Sequence, residues 1–149
     1  MKIIDGGVTA AKGFKAAGMH AGIKKGTKKD MAMIVSSAPG MAAGTFTTNL
    51  VKAAPVKWDQ HVVYEHGEAR AVVVNSGIAN ACTGAEGYGY CEETAKAAAE
   101  ALGIDKDEVL VASTGVIGKQ LPIDTIKKGV KDLSGLLLDT REAATLAAE

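Results

Sequence analysis

The sequence is poor in aromatic, proline and cysteine residues. Of its 149 residues only six are aromatic, three are proline and two are cysteine. Cys82 and Cys91 are nine positions apart, which matches neither a zinc-binding spacing nor the framework of a disulfide-rich secreted domain. We therefore expect reduced thiols and a cytoplasmic location, with Cys82 as a buried structural thiol rather than a nucleophile.

The sequence also lacks a net charge and a long apolar run. Seventeen Lys and Arg residues balance seventeen Asp and Glu residues, so no overall field attracts nucleic acid or an anionic membrane. No stretch reaches the roughly 18 apolar residues of a membrane span. Residues 1–7 lack the apolar region of a signal peptide. From these absences we expect no nucleic-acid partner and no association with a membrane.

Small residues are abundant instead. Alanine and glycine together make up about 30% of the chain, while 47% of the residues are hydrophobic and 23% are charged, close to a globular average. A chain of this length can bury roughly two thirds of the surface that it exposes when unfolded. We therefore interpret residues 1–149 as a single domain whose backbone segments can approach each other closely.

Apolar runs and glycine-rich breaks predict an α/β fold. In the first half we expect turns and extended chain up to residue 30, then β-structure in residues 31–36, 42–48, 61–64 and 69–75, the last two forming a hairpin. Pro55 is expected at an edge or in a loop. In the second half we expect a buried strand in 109–113, and helices in 90–102, 123–134 and 139–149.

Two buried strands are followed by polar, glycine-containing segments. Asn75, Ser76 and Gly77 follow the first strand, and Thr114 and Gly115 follow the second. Open α/β sheets usually place ligands at such strand ends. Backbone N–H groups of glycine and short polar side chains can bind an anion or stabilise an oxyanion. The alternative is that these residues only satisfy the backbone of the turns.

Familiar cofactor and metal motifs are not matched. Residues 115–120 contain neither a phosphate-binding P-loop nor a dinucleotide fingerprint. His20, His61 and His66 have no ligand partners at metal-binding spacing, so we expect no metal site and no bound cofactor. The lysine cluster within residues 24–29 has no interleaved aromatics, which favours a solvated loop over a phosphate contact.

Four segments, in order, resemble the ornithine acetyltransferase (bifunctional glutamate N-acetyltransferase) family. They are GVTAAKGF at residues 7–14, AAGTFTTN with VKAAPV within residues 42–56, VVNSGIANACTG at 73–84, and STGVIG at 113–118. From residue 133 onward the similarity is limited to helical character.

The resemblance implies an enzyme of arginine biosynthesis that moves an acetyl group from N-acetylornithine to glutamate. Some members also accept acetyl-CoA. The family chain cleaves itself before a threonine, which becomes the nucleophile of the second chain. The family fold is a layered α/β sandwich to which both chains contribute strands. The resemblance implies that the Thr114 hydroxyl and the Gly115 N–H form the oxyanion hole, and Asn75, Ser76 and Gly77 are candidate substrate-binding residues.

Several family features are missing from the sequence. The Ala-Thr cleavage step, the Met-Thr-Thr-Asp stretch and the lysine beyond it are absent. Thr45, Thr47 and Thr48 match no nucleophile motif, so the nucleophile is expected to be absent from this chain. We interpret residues 1–149 as the N-terminal (alpha-chain) portion, ending before the cleavage site and inactive alone. Its expected partner is the C-terminal (beta) chain, in a hetero-oligomer. The alternative is a non-catalytic α/β module that binds a small anion or a protein.

Overall fold

The computed structural model, which describes residue 4 and residues 6–149, contains a four-stranded sheet. The strands are β1 (Phe14–Met19), β2 (Met31–Met41), β3 (Glu68–Ile78) and β4 (Val109–Val116), and they lie in that order across the sheet. β1, β2 and β3 are antiparallel neighbours, whereas β3 and β4 run parallel. The prediction that residues 1–7 lack a signal peptide rests partly on positions outside the described residues.

Four helices accompany the sheet: α1 (Ala54–His61), α2 (Gly84–Leu102), α3 (Ile123–Ser134) and α4 (Arg141–Ala148). A π-helical turn, Val62–His66, continues α1, and short 3-10 turns lie at Val8–Ala10 and Lys106–Glu108. Within the described part of the chain, no helix is both long and apolar enough to cross a bilayer. The mixed sheet with helices agrees with the predicted α/β class.

The main core lies between one face of the sheet and helices α1, α2 and α3. Burial alternates along β3 and β4, as expected when one face of a strand packs against helices. The core is built from buried side chains of the sheet and the helices, among them Met31, Met33, Val73, Val111, Trp58, Ala95, Ile126 and Leu133. Alanines on α2 let that helix lie close to the sheet.

The opposite face of the sheet is only partly covered. Helix α4 packs against β1, where a Cβ on Gly18 would lie 1.9 Å from the carbonyl oxygen of Leu146. Toward β4 the cover ends. The term "open face" is used here for the half-buried apolar side chains on this side of β2, β3 and β4, namely Ile34, Val72, Val74, Leu110 and Ala112.

The outer edge of β4 is half capped by α1. The indole Nε1 of Trp58 donates to the carbonyl oxygen of Val109 at 2.8 Å, and the N–H of Val111 donates to Oδ1 of Asp59 at 3.0 Å. These bonds satisfy edge groups that would otherwise pair with water or another strand. Beyond Val111 the edge of β4 continues to Val116 without this cap.

Three expectations for the first half of the sequence are wrong: the strand at 61–64 with its hairpin to 69–75, the placement of Pro55 at an edge or in a loop, and the strand at 42–48. Residues 61–64 are not a strand but the end of α1 and the π-helical turn. Ala54, Trp58 and Val62 are four positions apart and all buried, as on one face of a helix. Burial of this face outweighs the local strand preference of Val62 and Val63. Pro55 lies in the first turn of α1, where its missing N–H costs nothing.

Other boundaries also differ. Residues 42–48 form no strand but an irregular segment that is largely exposed. Helix α2 begins at Gly84 rather than at residue 90, and the strands expected to end at residues 75 and 113 extend to Ile78 and Val116. Gly77 and Gly115 suggested turns in the sequence, but both glycines pair within the strands.

We predict that Asp59 makes stability pH-dependent. Burial raises its pKa to about 6, although the Val111 N–H acts in the opposite direction. The unfolded chain loses this proton at a lower pH than the folded protein, so Asp59 should reduce the free energy of unfolding as pH rises from about 4 to about 6. The Asp59→Asn variant should therefore gain stability relative to the unmodified protein across this range, measured by urea unfolding. The exposed Asp132→Asn variant controls for loss of a carboxylate, and a pH-independent difference for Asp59→Asn would contradict the prediction.

Candidate functional site

Two glycines face each other where β3 and β4 approach their ends. Gly77 and Gly115 are register partners, with φ of +116° and +127°. A Cβ on Gly115 would lie 2.3 Å from the carbonyl carbon of Gly77 and 2.5 Å from its oxygen. Only glycine fits this conformation and this distance. The pairing continues beyond the glycines, since the N–H of Ala79 donates to the carbonyl oxygen of Val116 at 3.0 Å.

Thr114 lies next to this glycine pair and is exposed. Its register partner on β3 is Ser76. Because side chains alternate along a strand, Thr114 and Ser76 project on the same side of the sheet as the open face. The Thr114 hydroxyl is therefore placed at the end of an apolar surface rather than in the packed core.

The backbone of Gly115 is exposed at the uncapped end of β4. Val109 and Val111 direct their backbone groups toward α1, away from β3. In a regular strand every second residue points the same way, so the N–H groups of Ser113 and Gly115 are expected to point toward the same edge. Thr114 and Gly115 are thus adjacent and exposed at the strand end, where the hydroxyl and the N–H are expected to be accessible donors.

Asn75 is buried, with 5% of its surface exposed, and its side chain is bonded within the protein. Its Nδ2 donates to the carbonyl oxygen of Ile78 at 3.0 Å, and its Oδ1 accepts from the Ser113 hydroxyl at 2.6 Å. The bond to Ile78 lies within β3, and the bond from Ser113 ties β3 to β4 just before the glycine pair. Contact of Asn75, Ser76 or Gly77 with a substrate stays a prediction.

A second buried amide fixes the segment after β3. Asn80 is fully buried with φ of +49°, and its Nδ2 donates to the Gly87 carbonyl oxygen at 2.9 Å and contacts Sγ of Cys91 at 3.2 Å. The Thr83 hydroxyl donates to Oδ1 of Asn80 at 2.8 Å. Sequence reasoning missed this role. The signal that could have indicated it is the position of Asn80 shortly before the start of α2 at Gly84.

The two cysteines lie in different environments. Cys91 is buried, and burial raises its pKa to about 12, so it remains a thiol. Cys82 is exposed, which corrects the expectation of a buried thiol, because its backbone turns outward with φ of +57°.

The first part of the lysine-rich loop between β1 and β2 is bonded to a buried carboxylate. The Asp30 carboxylate accepts hydrogen bonds from the N–H groups of Ala21, Ile23 and Lys24 at 2.6–2.8 Å. Burial would raise the pKa of Asp30, but these N–H groups and the nearby His20 ring bring it below its usual value, so Asp30 is ionised. The first part of the loop is therefore held by a buried charge, while residues 25–28 are exposed, as expected of a solvated loop.

The three histidines lie in different places. His20 contacts the carbonyl oxygen of Lys28, and His61 contacts side chains of the acidic residues Glu65 and Asp107. Among the described residues, one group of metal-capable side chains converges, formed by His66, Glu68 and Glu108, with ligand atoms within 4.8 Å of one another.

Glu108 in this group already accepts a hydrogen bond from the N–H of Asp105 at 3.0 Å. Its side chain therefore has a structural role in the 3-10 turn, where Asp105 and Glu108 form a reciprocal cap.

Comparison with known proteins decides the family. A sequence model of the ArgJ family matches residues 15–148. The chain belongs to the ArgJ family. It is 51% identical over 145 residues to the arginine biosynthesis bifunctional protein ArgJ of Gloeobacter violaceus, and 52% identical over 131 residues to that of Streptomyces coelicolor. It covers 36% and 34% of these two proteins, so it spans about a third of the length of the curated relatives that it matches.

Crystal structures of family members have the same fold. ArgJ of Bacillus halodurans superposes with a TM-score of 0.91 at 41% identity, over 99% of this chain and 75% of that one. The ornithine acetyltransferase of Mycobacterium tuberculosis, crystallised with ornithine, gives a TM-score of 0.91 at 44% identity, over 96% of this chain and 77% of that one. The α/β arrangement of sheet and helices is thus that of the ArgJ family.

We predict that Gly115→Ala destabilises the protein by about 2 kcal/mol or more. The new Cβ would overlap the Gly77 peptide, and the positive φ would strain any other residue. Thermal and urea unfolding would measure the change. Gly89→Ala on α2 is the matched control, because its Cβ meets no atom within 4 Å and alanine favours a helix by about 1 kcal/mol. Equal stability of the two variants would contradict the close approach.

Proposed function

We propose that this chain is the N-terminal (alpha-chain) portion of a glutamate N-acetyltransferase, also called ornithine acetyltransferase, of arginine biosynthesis. The whole enzyme would transfer acetyl from N-acetylornithine to glutamate through an acetyl-threonine on a C-terminal (beta) chain. The observation that carries the proposal is the exposed pair of donors, Thr114 and Gly115, at the uncapped end of β4 in a chain of the ArgJ family.

The chemistry needs these donors when the threonine attacks the acetyl carbonyl. The carbonyl oxygen then becomes negative in the tetrahedral intermediate, and N–H and O–H groups fixed in advance stabilise it. Thr114 is held by the ladder between β3 and β4, and Gly115 by its contact with Gly77. The donors therefore need no rearrangement when the charge appears.

The proposed partner is the remaining part of the family chain, and two observations support it. First, the open face leaves Val72, Val74 and their neighbours half-buried beside Thr114, as expected of a layer that another layer covers. Second, this chain covers about 75% of the crystallised chain but only about 36% of a curated relative. The crystallised chain is thus about half as long as the curated protein, which agrees with cleavage into two chains of similar length.

Three further points belong to the proposal. Residues 1–149 form one domain of the longer enzyme, and that enzyme uses the small molecules N-acetylornithine and glutamate, with acetyl-CoA as a further acetyl donor in some members. The expected compartment is the cytoplasm. A relative from Zea mays, 43% identical over 148 residues, is a chloroplastic ArgJ protein.

We predict that Thr114→Ala in the full-length protein lowers acetyl transfer by about a hundredfold or more, since one oxyanion donor is removed. The rate of N-acetylglutamate formation from N-acetylornithine and glutamate would measure it. Thr145→Ala is the matched control, because Thr145 is exposed on α4 and its hydroxyl bonds only within that helix. Unchanged turnover of Thr114→Ala would eliminate the assignment.

We predict that a charge on the open face prevents assembly with the rest of the enzyme. Val74→Glu would bury a carboxylate in the proposed contact, so the complementary chain should no longer copurify with a tagged N-terminal chain. Ala101→Glu is the control, because Ala101 is exposed on α2, on the other side of the sheet. If both variants retained the partner equally, the open face would not be the contact.

A further inference from the structure

Arg70 lies on the same side of the sheet as the open face, at the end farther from Thr114. It precedes Val72 by two positions and alternates along β3 with the buried Ala71, so its side chain projects on this side. Ser76, the register partner of Thr114, lies further along β3 at a distance of about 20 Å from Arg70. This side of the sheet thus carries a cation at one end and the candidate oxyanion donors at the other.

The guanidinium group of Arg70 is incompletely bonded. Its Nη2 donates to the carbonyl oxygen of Ser37 at 3.3 Å, which is a long hydrogen bond. Its Nε is buried and, among the described residues, has no hydrogen-bond partner. In the same part of the chain, Arg70 forms no ion pair with a carboxylate. A buried donor without a partner costs free energy, and a guanidinium can bind a carboxylate through two parallel N–H groups.

A cavity of about 320 Å³ lies beside this side chain. Besides Arg70, its lining includes a half-buried apolar residue from each of the four strands, namely Phe14, Ile34, Val72 and Leu110. The apolar surface continues along the open face to Val74 and Ala112. An apolar surface that crosses four strands and contains one cation fits a protein layer with an acidic side chain better than a small solvated anion.

The occupant that the observations favour is the C-terminal part of the family chain. The present chain covers 36% of the ArgJ protein of Gloeobacter violaceus, so more than half of that protein is available to cover the sheet. The proposed function also places the threonine of the C-terminal chain next to Thr114, at the far end of the same surface. A layer that reaches Thr114 and extends along β3 would lie over Arg70 as well.

We propose that Arg70 anchors the C-terminal (beta) chain by binding the carboxylate of an Asp or Glu side chain of that chain. This inference rests on the proposed function, from which it takes the partner, and it adds the residue and the charge that the contact requires. The carboxylate would satisfy the unpartnered Nε and replace the long bond to Ser37 as the main contact of the guanidinium. Complementary charges of this kind also fix the alignment of two surfaces.

The test uses the full-length enzyme with an affinity tag on its N-terminal chain, after self-cleavage. The rate at which the C-terminal chain dissociates from the immobilised N-terminal chain measures the contact. Arg70→Met should raise this rate about tenfold or more, because loss of one partner leaves the other charge buried and unpaired. Lys128→Met is the matched control and should leave the rate unchanged, because Lys128 is exposed on α3, on the other side of the sheet.

An exchange of charges identifies the partner residue. Arg70→Glu should release the C-terminal chain, and replacement of a single acidic residue of that chain by lysine should restore the association. A residue of the other chain would not repair misfolding of the N-terminal chain, so restoration separates the contact from a loss of stability. The proposal is overturned if no acidic position of the C-terminal chain restores the association, or if Arg70→Met dissociates at the unmodified rate. If Arg70→Met instead lowers the sedimenting mass with the C-terminal chain retained, the face binds a second copy and the proposal is likewise overturned.

The outcomes separate this inference from the proposed function. If the unmodified enzyme is cleaved and assembled but forms no N-acetylglutamate, the proposed activity fails while the Arg70 contact is still measured. If that enzyme is active and the Arg70 variants keep the C-terminal chain, the inference fails while the function stands. If the full-length protein remains one chain, the two-chain form of the proposed function fails. The urea midpoint of the same variants then decides the inference, since only a true contact is restored by the exchange of charges.

Discussion

The close contact between Gly77 and Gly115 determines the geometry of the candidate site. Two parallel strands carry glycines at the same register position, both with positive φ, and a side chain on Gly115 would overlap the Gly77 peptide. This contact lets the ladder continue past the point where a turn would otherwise begin. Thr114 is then held in a strand, with its hydroxyl on one face and the next N–H at the strand edge. The rigidity that the proposed oxyanion hole would need is thus supplied by backbone pairing.

Around this contact, buried polar side chains link the neighbouring elements by hydrogen bonds. Asn75 joins β3 to β4 through Ser113, Asn80 joins the end of β3 to α2, and Asp30 joins the loop after β1 to β3. Each is buried and bonded to backbone groups, which is the usual condition for a polar group in a core. The exposed donors are thus supported from three directions, while the face above them is left uncovered by the described residues.

Much of this arrangement could be predicted from the sequence, and the errors have physical causes. The apolar runs identified the inner strands, and the ordered motifs identified the family, which the comparisons confirmed. The segment 61–64 was misread because valines favour strands locally, whereas the spacing of Trp58 and Val62 favours a helix.

The role of the lysine-rich loop could not be found from the sequence. Asp30 stands after a run of glycines and lysines, and nothing local indicates that its carboxylate turns back to the N–H groups of residues 21–24. A second bond, from the Ser76 N–H to the Asp30 carbonyl oxygen, joins the loop to β3 and accompanies the pairing of β2 with β3. Spacing alone carries no signal for such long-range partners.

The cap that α1 places on β4 has a consequence for assembly. Trp58 and Asp59 occupy the edge only as far as Val111. A strand supplied from elsewhere could add to β4 only at the four or five residues that follow, so its alignment would be dictated by where the indole and the carboxylate stop. The end of α1 would then fix the register of an added strand, so that this strand pairs with β4 beside Thr114 and Gly115.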